Sequence, residues 1–600
     1  MNAESNRRVD VSIVVPVHNC RPYLDRCLTS LLAQAVSKEI IVVDDGSTDG
    51  SRELLADYAA KFTEIRVLHQ AASGGPGRPR NRALAHATGR YVFFCDADDH
   101  LGPEALWRMV AMAERNGSDI VLGKMIGHGR KVPTSMFQEN RDNAPLGETT
   151  VYNALTCFKL FRREMLTRHH IVFDESLRVG EDMVFSVHAY CHAETISVVA
   201  DHDCYHLVSR PDGGSIMQEP NSRHPLAWLR MVHTPIELMT RHVPPGPLRD
   251  HLLRRHFRFD ILAQLGAPFL AADPPTRRAI AREVAAMCAA WLTEGTLDRL
   301  RPIDRLRVAC AGDVDRLLRI ARVEAAGLRR RLTGLEWAGD RLEVSGTAAL
   351  TDSWNGVTVG LLLRERFTSA ERRVPVTSVA DVFAGTVRVS RLPPGVWDVY
   401  VVLACEGVRR VARFGADRVP GVEAPGPWLS SAVAVPYFTR VHGNLSIDIG
   451  GRLAPVPGVV RLTRASWGAK GLLTIEGTVT VGPGCPAARR ARHLIWRERS
   501  SGHERRVPAT CLNETRFTAA APLDAPGTWE ATLELNLGGP PIRYPVQVAD
   551  TTLTPSTTWW RGPHRWTAST RASKLRRKLI VSVLSQGPRS VVRDSLRLVR

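Results

Sequence analysis

The first 220 residues alternate short, mostly apolar runs with segments whose apolar residues recur at helical spacing. The apolar runs occupy residues 11–15, 40–43, 65–68 and 91–94. The runs 40–43 and 91–94 are wholly apolar, and the other two contain one polar residue each, Ser12 and Arg66. Short runs of this kind are typical of strands that are largely buried in a sheet. Strands that alternate with amphipathic helices predict a parallel, doubly wound α/β sheet. We expect this domain to span residues 1–223.

The pattern changes after residue 224. Strand-like alternation stops, and Ala, Leu and Arg dominate the composition up to residue 333. Residues 248–265 and 277–292 both carry apolar side chains at helical spacing. The sequence therefore predicts a helical linker domain over 224–333.

The chain then repeats itself at an offset of about 130 residues, which indicates an internal duplication. The matched pairs are Trp337 with Trp467, residues 364–366 with 497–499, and residues 394–397 with 526–529. Alternating polar and apolar residues, as in 342–346 and 398–402, predict strands with one buried face. We expect two tandem β-sandwich domains with an immunoglobulin-like architecture, over 334–422 and 423–553, with the tryptophans in their cores.

Composition narrows the class of partner. The chain has 80 Lys and Arg against 61 Asp and Glu, a net charge of +19. This balance favours polyanionic partners such as a phosphate polymer, nucleic acid or an anionic membrane face. Nucleic acid is disfavoured because no aromatic–basic motif of the common binding modules is visible.

Location is inferred from what the sequence does not contain. It has no apolar run of spanning length and a polar N-terminus, and its 11 cysteines are scattered without CxxC pairs. A cytoplasmic location is the expectation. The basic tail, 554–600, predicts either peripheral contact with anionic lipid on the inner face of the membrane or a disordered solubilising segment.

Carboxylates cluster where two predicted strands end. Asp44 and Asp45 follow the second apolar run, and Asp96, Asp98 and Asp99 follow the fourth. Ligands of open α/β sheets bind beyond the carboxyl ends of the strands. Five carboxylates at one edge would repel each other, and a divalent cation with a diphosphate would neutralise them. Acidic turns without a ligand are the alternative reading for a D-x-D segment alone.

Several motifs in this region resemble the serial motifs of family-2 glycosyltransferases with the GT-A fold. They are Pro-Val-His-Asn at 16–19, Val-Asp-Asp-Gly-Ser-Thr-Asp at 43–49, Arg-Asn at 80–81, Asp-Ala-Asp-Asp at 96–99, Gly-Glu-Asp at 180–182 and Arg-Pro-Asp-Gly-Gly-Ser at 210–215. The resemblance implies a Rossmann-like GT-A domain. It also implies an inverting transferase that uses a nucleotide-diphospho-sugar with Mg²⁺ or Mn²⁺.

The resemblance assigns the donor-binding residues. Pro16 and Val17 would line the nucleotide pocket together with Asn19, and Asp45 would hydrogen-bond the base, usually uracil. Asp96 would face the ribose and the metal-bound phosphates.

The resemblance places the metal in the same acidic segment. Asp98 would ligate the cation, and Asp99 would be a second ligand or an orienting group. Arg78 and Arg80, on a Gly-rich loop, could reach the diphosphate; an ordinary Gly/Pro loop is the alternative.

Two later segments carry the remaining candidate catalytic and donor-binding residues. By resemblance Asp182 is the base that accepts the proton of the acceptor hydroxyl, and Glu181 orients it or the acceptor. A helix N-terminal pair that satisfies the dipole is the alternative. Arg210, with Ser215 and His206, would close over the diphosphate, unless this segment is an ordinary surface loop.

The order of catalytic domain, helical linker and two β-domains is similar to wall-teichoic-acid glycosyltransferases. We therefore expect transfer from a nucleotide-sugar, with a UDP-sugar as the expected donor, to a hydroxyl of a cell-envelope polymer such as a teichoic-acid-like polyol phosphate. The β-domains would bind the polymer or form a homo-oligomer, unless their repeated arginines only line solvated strand faces. The alternatives are an exopolysaccharide or lipid-linked-sugar transferase, or a non-catalytic glycopolymer-binding scaffold.

Overall fold

The computed structural model describes residues 9–211, 213–214, 216, 224–429, 433–451, 453–454, 456, 458–481, 487–537, 541–548, 556–573 and 577–587. The chain divides into two units, Met1–Ala325 and Ala326–Arg600.

The first unit combines one sheet with thirteen described helices. Its strands are β1 (Val11–Val17), β2 (Lys38–Asp45), β3 (Ile65–Gln70), β4 (Tyr91–Phe94), β5 (His100–Leu101), β6 (Ile120–His128), β7 (Leu160–Arg162) and β8 (Ile196–Val208). Its helices are α1 (Arg21–Leu32), α2 (Ser51–Lys61), α3 (Gly77–Leu84), α4 (Ala105–Asn116), α5 (Arg163–Arg168), α6 (Glu181–His192), α7 (Pro225–His242), α8 (Pro247–His256), α9 (Ala267–Ala271), α10 (Pro274–Trp291), α11 (Glu294–Asp298), α12 (Pro302–Ala309) and α13 (Val314–Ala325).

The sheet confirms the predicted α/β class but is mixed rather than wholly parallel. Its order is β3-β2-β1-β4-β7-β6-β8-β5. The four predicted strands, β1 to β4, run parallel, whereas β7 is antiparallel to β4 and β6, and β5 is antiparallel to β8. Antiparallel neighbours need no crossover helix, so the irregular segment between β6 and β7 is sufficient to connect them.

The centre of the sheet is apolar on both faces. Val14 on β1 pairs with Ile41 on one side and Phe94 on the other, and none of the three is exposed to solvent. This burial explains why these strands are mostly apolar in the sequence.

The helices after residue 224 pack onto the same unit. The Tyr152 hydroxyl lies 3.0 Å from Nε2 of His256, whose Nδ1 lies 3.0 Å from the Asp260 carboxylate. The last helix ends at Ala325 and the next strand begins at Leu328, so the helical region ends before the predicted residue 333. Among the described helices, none is both long enough and apolar enough to cross a membrane.

The second unit contains only strands and short 3₁₀ turns in its described part. The strands are β9 (Leu328–Ala338), β10 (Arg341–Leu350), β11 (Thr358–Glu365), β12 (Glu371–Val374), β13 (Val376–Val379), β14 (Val382–Arg388), β15 (Gly395–Cys405), β16 (Val408–Arg413), β17 (Trp428–Leu429), β18 (Val433–Phe438), β19 (Leu445–Ile449), β20 (Gly458–Trp467), β21 (Leu472–Val481), β22 (Ala491–Glu498), β23 (Glu504–Pro508), β24 (Thr510–Cys511), β25 (Arg516–Pro522), β26 (Gly527–Leu535), β27 (Ile542–Gln547), β28 (Ser556–Arg561), β29 (His564–Ala572) and β30 (Leu579–Gln586).

The strand pairing follows the duplication in the sequence. In the first copy β10 pairs with β9 and β14, and β11 pairs with β12 and β15. In the second copy β21 pairs with β20 and β25, and β22 pairs with β23 and β26. Trp397 and Trp529 are buried in the cores as predicted, but Trp337 and Trp467 are only half-buried.

The predicted boundaries of the β-domains are wrong in two places. Strands β18 and β19 continue the sheet of the first copy, so that domain extends to Ile449 rather than ending at 422. Strands β28, β29 and β30 belong to the sheet of the second copy, so residues 556–586 are not a separate tail. Residues 588–600 lie outside the described part of the chain.

Candidate active site

The carboxyl ends of the parallel strands β1, β2 and β4 meet at one edge of the sheet. Asp96, Asp98 and Asp99, directly after β4, each offer a carboxylate oxygen within 4.8 Å of the other two. Three of the five predicted carboxylates are therefore brought together. Asp44 and Asp45 are held separately by contacts of their own.

Asp44 is neutralised within the protein. It is fully buried and accepts from Ser47 N at 3.0 Å, Arg52 Nε at 2.9 Å and His69 Nδ1 at 3.1 Å. Although burial acts to raise it, these hydrogen bonds hold the pKa of Asp44 below its ordinary value. Asp44 thus fixes the turn that follows β2.

Asp45 is oriented by two neighbours. Its carboxylate is 4% exposed and accepts from Gln70 Nε2 at 2.7 Å and from the Ser73 hydroxyl at 2.8 Å. The Ser73 backbone N–H adds a contact at 3.0 Å. These donors hold the Asp45 carboxylate between the end of β2 and the loop that follows β3.

The β1–α1 turn is joined to the β2–α2 turn. Asn19 adopts a positive φ of 49°, and its Oδ1 accepts from Thr48 N at 2.9 Å. Asn19 therefore holds the neighbouring turn in place, and α1 begins at Arg21 without a side-chain cap. Pro16 is half-buried, whereas the Val17 side chain is completely buried in the core.

Arg80 joins the two acidic segments. Its side chain is buried, with one terminal nitrogen 2.7 Å from Asp96 Oδ1 and the other 2.6 Å from Glu181 Oε1. The guanidinium also stacks 5.2 Å above the Phe173 ring. Arg78, two residues earlier on α3, is exposed.

Arg210 pairs with another carboxylate of the acidic cluster, that of Asp98. Its Nε donates to Asp98 Oδ2 at 2.6 Å, and its guanidinium lies 5.4 Å from the Tyr23 ring. Burial and the nearby Asp96 raise the pKa of Asp98 in spite of this ion pair. Ser215, predicted to act with Arg210, lies outside the described residues.

Asp99 points into the protein. Its two oxygens accept from the Tyr205 hydroxyl at 2.9 Å and from Val208 N at 2.8 Å, and the residue is 2% exposed. Burial, followed by repulsion from Asp96 and Asp98, raises the pKa of Asp99 to about 8. The geometry therefore favours the orienting role over that of a second metal ligand.

The last two carboxylates lie at the N-terminus of α6. Gly180 precedes the helix with a φ of 89°, and an added Cβ there would meet Met231 Sδ at 2.3 Å, so this turn requires glycine. Burial and the adjacent Asp182 raise the pKa of Glu181 to about 7, against the effect of Arg80. Burial also raises the pKa of Asp182, whose Oδ1 accepts from Met183 N at 2.8 Å.

Sequence reasoning missed Lys159, which lies beside this pair. Lys159 is 2% exposed, donates to the Thr156 carbonyl and lies 5.4 Å from the Tyr190 ring. Burial lowers the pKa of Lys159 to about 8. A lone lysine inside the apolar run 157–161 is the signal that could have identified it.

His206 does not join the site as predicted. Its Nδ1 lies 3.0 Å from Nε2 of His128, and its ring stacks on His100 at 4.5 Å. These contacts hold His206 among the strand residues of β5, β6 and β8.

The acidic cluster fits a hard divalent cation. Arginines occupy one oxygen of Asp96 and one of Asp98, and each carboxylate keeps a second oxygen. Burial and the charge of Asp96 raise the pKa of Asp98, and a bound cation would favour its ionised form. Carboxylate oxygens are the ligands that Mg²⁺ and Mn²⁺ prefer.

Family models match three successive parts of the chain. The model for glycosyl transferase family 2 matches residues 12–172, which contain β1 to β7 and the acidic cluster. The model for the glycosyl transferase TarS linker domain matches residues 225–321. The model for TarS beta-glycosyltransferase C-terminal domain 1 matches residues 320–449, in agreement with the structural end of the first β-domain.

Two curated relatives match the N-terminal domain. The poly(ribitol-phosphate) beta-glucosyltransferase of Bacillus spizizenii is 43% identical over 205 residues, which are 33% of this chain and 32% of the relative. The poly(ribitol-phosphate) beta-N-acetylglucosaminyltransferase TarS of Staphylococcus aureus is 37% identical over 203 residues, 33% of this chain and 35% of the relative. The matched segment thus spans about a third of each relative.

The crystal structure of S. aureus TarS has a similar fold over most of the chain. It superposes with a TM-score of 0.51 at 21% identity and covers 85% of this chain and 95% of that one. The fold and the family model define the N-terminal region as a domain of the glycosyl transferase family 2 type. The N-terminal domain belongs to glycosyl transferase family 2, and a linker domain and a first C-terminal domain of the TarS type follow it.

Proposed function

We propose that the chain transfers a sugar, with inversion, from a UDP-sugar to a hydroxyl of a poly(ribitol-phosphate)-like polymer. The names of the two curated relatives support the transfer of a sugar and the acceptor class. The net charge of +19 suits a polyanionic acceptor.

The observation that carries this proposal is the position of Asp182 among the paired carboxylates. Asp96 and Glu181 are both engaged by Arg80, whereas Asp182 accepts a hydrogen bond from Met183 N at the start of its own helix. Asp182 is close enough to Asp96 for that charge to raise its pKa. A carboxylate with a raised pKa is better matched to the work of a general base near neutral pH.

The reaction follows from this arrangement as a single displacement. Asp182 accepts the proton of the acceptor hydroxyl while the hydroxyl oxygen bonds to the anomeric carbon. The bond from that carbon to the diphosphate oxygen breaks on the opposite face, and the configuration inverts. Glu181, held by Arg80, keeps Asp182 at the start of α6. Asp45 accepts a hydrogen bond from the uracil imide N–H of the donor.

Asp98 and Asp96 would hold Mg²⁺ or Mn²⁺, and Asp99 would position the segment through Tyr205 and Val208. When bound, the cation neutralises the charge that develops on the departing diphosphate. Arg210, already beside Asp98, would contribute positive charge at the same place.

We further propose that the second unit contacts the acceptor polymer. Some repeated arginines are already paired, as Arg366 with Asp398 at 2.7 Å and Arg499 with Glu530 at 2.7 Å. Polymer contact would therefore depend on other basic residues of this unit. Association between copies, or peripheral membrane contact through residues 588–600, are the alternative roles.

The test uses the purified full chain with Mn²⁺ or Mg²⁺, a panel of nucleotide sugars and three acceptors: ribitol-phosphate polymer, exopolysaccharide and a lipid-linked sugar. We expect transfer from UDP-sugars to the ribitol-phosphate polymer, with an inverted anomeric centre by NMR. Transfer to another acceptor alone would replace the proposed substrate. Donor binding without transfer to any acceptor would favour a scaffold.

Asp182→Asn gives the sharpest test of the base. We expect transfer to fall by at least about a hundredfold, while UDP-sugar binding measured by calorimetry is retained. Glu194→Gln is the matched control because Glu194 is exposed just beyond the other end of α6, and it should transfer at the wild-type rate. Full activity in Asp182→Asn would remove Asp182 from the mechanism.

A further inference from the structure

Four histidines gather at the far end of α6 from the acidic pair. His188 and His192 lie one turn apart on α6, and His242 is the last residue of α7. Their ring centroids are 5.1 Å apart for His188 and His192, 5.4 Å for His188 and His242, and 4.6 Å for His192 and His242. His169, which directly follows α5, stacks on His192 at 4.0 Å.

Three of these rings converge through their nitrogens. His188, His192 and His242 each offer one ring nitrogen within 4.8 Å of the other two. Within the described part of the chain, no hydrogen-bond partner satisfies these nitrogens. The histidines on β5, β6 and β8 differ, because His128 and His206 already share a hydrogen bond of 3.0 Å.

Burial disfavours a proton on the two histidine rings of α6. Burial, followed by the neighbouring histidines, lowers the pKa of His188 to about 4, and burial also lowers the pKa of His192. Both rings are therefore neutral near pH 7 and keep a lone pair for coordination. His192 and His242 end their helices, and helix C-termini carry partial negative charge that attracts cations.

We propose that His188, His192 and His242 bind a transition-metal ion of the Zn²⁺ class. Imidazole nitrogens suit Zn²⁺, whereas Mg²⁺ and Mn²⁺ prefer the carboxylates of the acidic cluster. Two histidines four residues apart on one helix face, with a third from a second helix, supply three ligands and leave one position for solvent. His169 is a positioning residue that holds the His192 ring by stacking.

Binding of this ion would affect the position of Glu181 and Asp182, because both lie on α6. The ion would clamp α6, which begins at Glu181, to α7, the first helix of the linker. The site is separate from the acidic cluster and its binding does not depend on the proposed transfer activity.

The test titrates Zn²⁺ into the full chain after treatment with a chelator, using a chromophoric competitor. Co²⁺ serves as a spectroscopic probe of nitrogen coordination. We expect His188→Gln and His192→Gln each to lose one tight equivalent, with affinity lower by at least about tenfold. The Tm increase that Zn²⁺ gives the wild-type chain should disappear in both variants.

Controls separate this site from the others. His170→Asn is the matched control, because His170 is exposed beside His169 and its φ of 52° suits asparagine; it should bind Zn²⁺ as the wild type does. His206→Gln reports on the strand histidines. Unchanged stoichiometry in both α6 variants, loss of the equivalent in His206→Gln instead, or no Zn²⁺ binding by the wild type would each overturn the proposal.

Discussion

Arg80 connects side chains that lie 16 and 101 positions away in the sequence. It pairs with Asp96 after β4 and with Glu181 at the start of α6, so it fixes the distance between the proposed metal segment and the proposed base segment. A planar guanidinium with separate donors can hold two carboxylates at once, which a lysine cannot do with the same geometry. This residue therefore has a structural role whether or not it reaches the donor.

Arg80→Ala should destabilise the first unit. The buried Glu181 and the partly exposed Asp96 would lose their partner, and breaking a buried pair costs ~3–5 kcal/mol. We expect a decrease of that size in the free energy of unfolding, measured by denaturant titration of the full chain. Arg78→Ala, on the exposed face of α3, should change it by less than ~0.5 kcal/mol. Equal effects from both variants would contradict the bridging role.

The acidic pair on α6 predicts the pH dependence of transfer. The pKa of Glu181 is raised to about 7 and the pKa of Asp182 is raised in the same direction, so protonation of the pair begins near neutral pH. A base must be ionised to accept a proton, so kcat/KM should fall as the pH drops below about 7.

Glu181→Gln provides the control for this profile. It removes one of the two charges, so the acid limb of kcat/KM should move to lower pH in any activity that remains. An acid limb that is identical in wild type and variant would show that another group controls the profile.

At the scale of elements, each copy of the duplication holds one glutamate carboxylate in the same set of hydrogen bonds. Glu365 ends β11 and accepts from Thr368 N at 2.6 Å, and Glu498 ends β22 and accepts from Ser501 N at 2.7 Å. An added Cβ on Gly395 or Gly527 would lie 2.9 Å or 2.8 Å from the corresponding glutamate side chain. The repeated Pro-Gly-x-Trp segment therefore needs its glycine to leave room for the glutamate.

Both glutamates should stabilise their domains in a pH-dependent way. Backbone and hydroxyl donors lower the pKa of Glu365 and of Glu498 to about 2, below the ordinary 4.5. A depressed pKa contributes stability that is present above the unfolded value and is lost as the pH falls through about 2. Glu365→Gln and Glu498→Gln should each lower Tm at pH 7, and the difference from wild type should shrink toward pH 2.

Matched variants keep this prediction specific. Glu423→Gln, an exposed loop glutamate, should leave Tm unchanged. The variant that carries both substitutions should show a Tm decrease equal to the sum of the two single decreases. Glu365 and Glu498 share no contact among the described residues, so their effects should be independent. A constant Tm difference between pH 7 and pH 2 would rule out the ionised form as the source of the stability.

At the scale of the whole molecule, every described residue of the candidate site lies in Met1–Ala325. Ala326–Arg600 has separate sheets and its own buried cores. A chain that ends at Ala325 should therefore still bind UDP-sugar. If the second unit binds polymer, its removal should raise KM for long acceptors by at least about tenfold through loss of multivalent contact.

Acceptors of graded length supply the measurement and the control. The truncated chain and the full chain should use short ribitol-phosphate acceptors with similar kcat/KM, and circular dichroism should confirm that the truncated chain is folded. Equal efficiency on long and short acceptors in both chains would assign the second unit another role.

Local patterns were sufficient for much of the fold and for the class of site. The short, mostly apolar runs of β1 to β4 predicted strands because a strand inside a sheet is covered on both faces and has few polar positions. The acidic residues after β2 and β4 predicted the edge of the sheet because parallel strands end together. The matched Trp, Arg and Glu residues predicted the duplication, since each copy must keep the same buried contacts.

Only the tertiary structure decided how the side chains are paired. The antiparallel strands β5 and β7, the contacts of Asp44 and Asp99, and the place of Lys159 all depend on residues distant in sequence. The same is true of the sheet that absorbs residues 556–586 and of the convergence of His188 and His192 with His242. Hydrogen bonds, ion pairs and burial depend on distances in space, and a linear pattern fixes those distances only within one helix or strand.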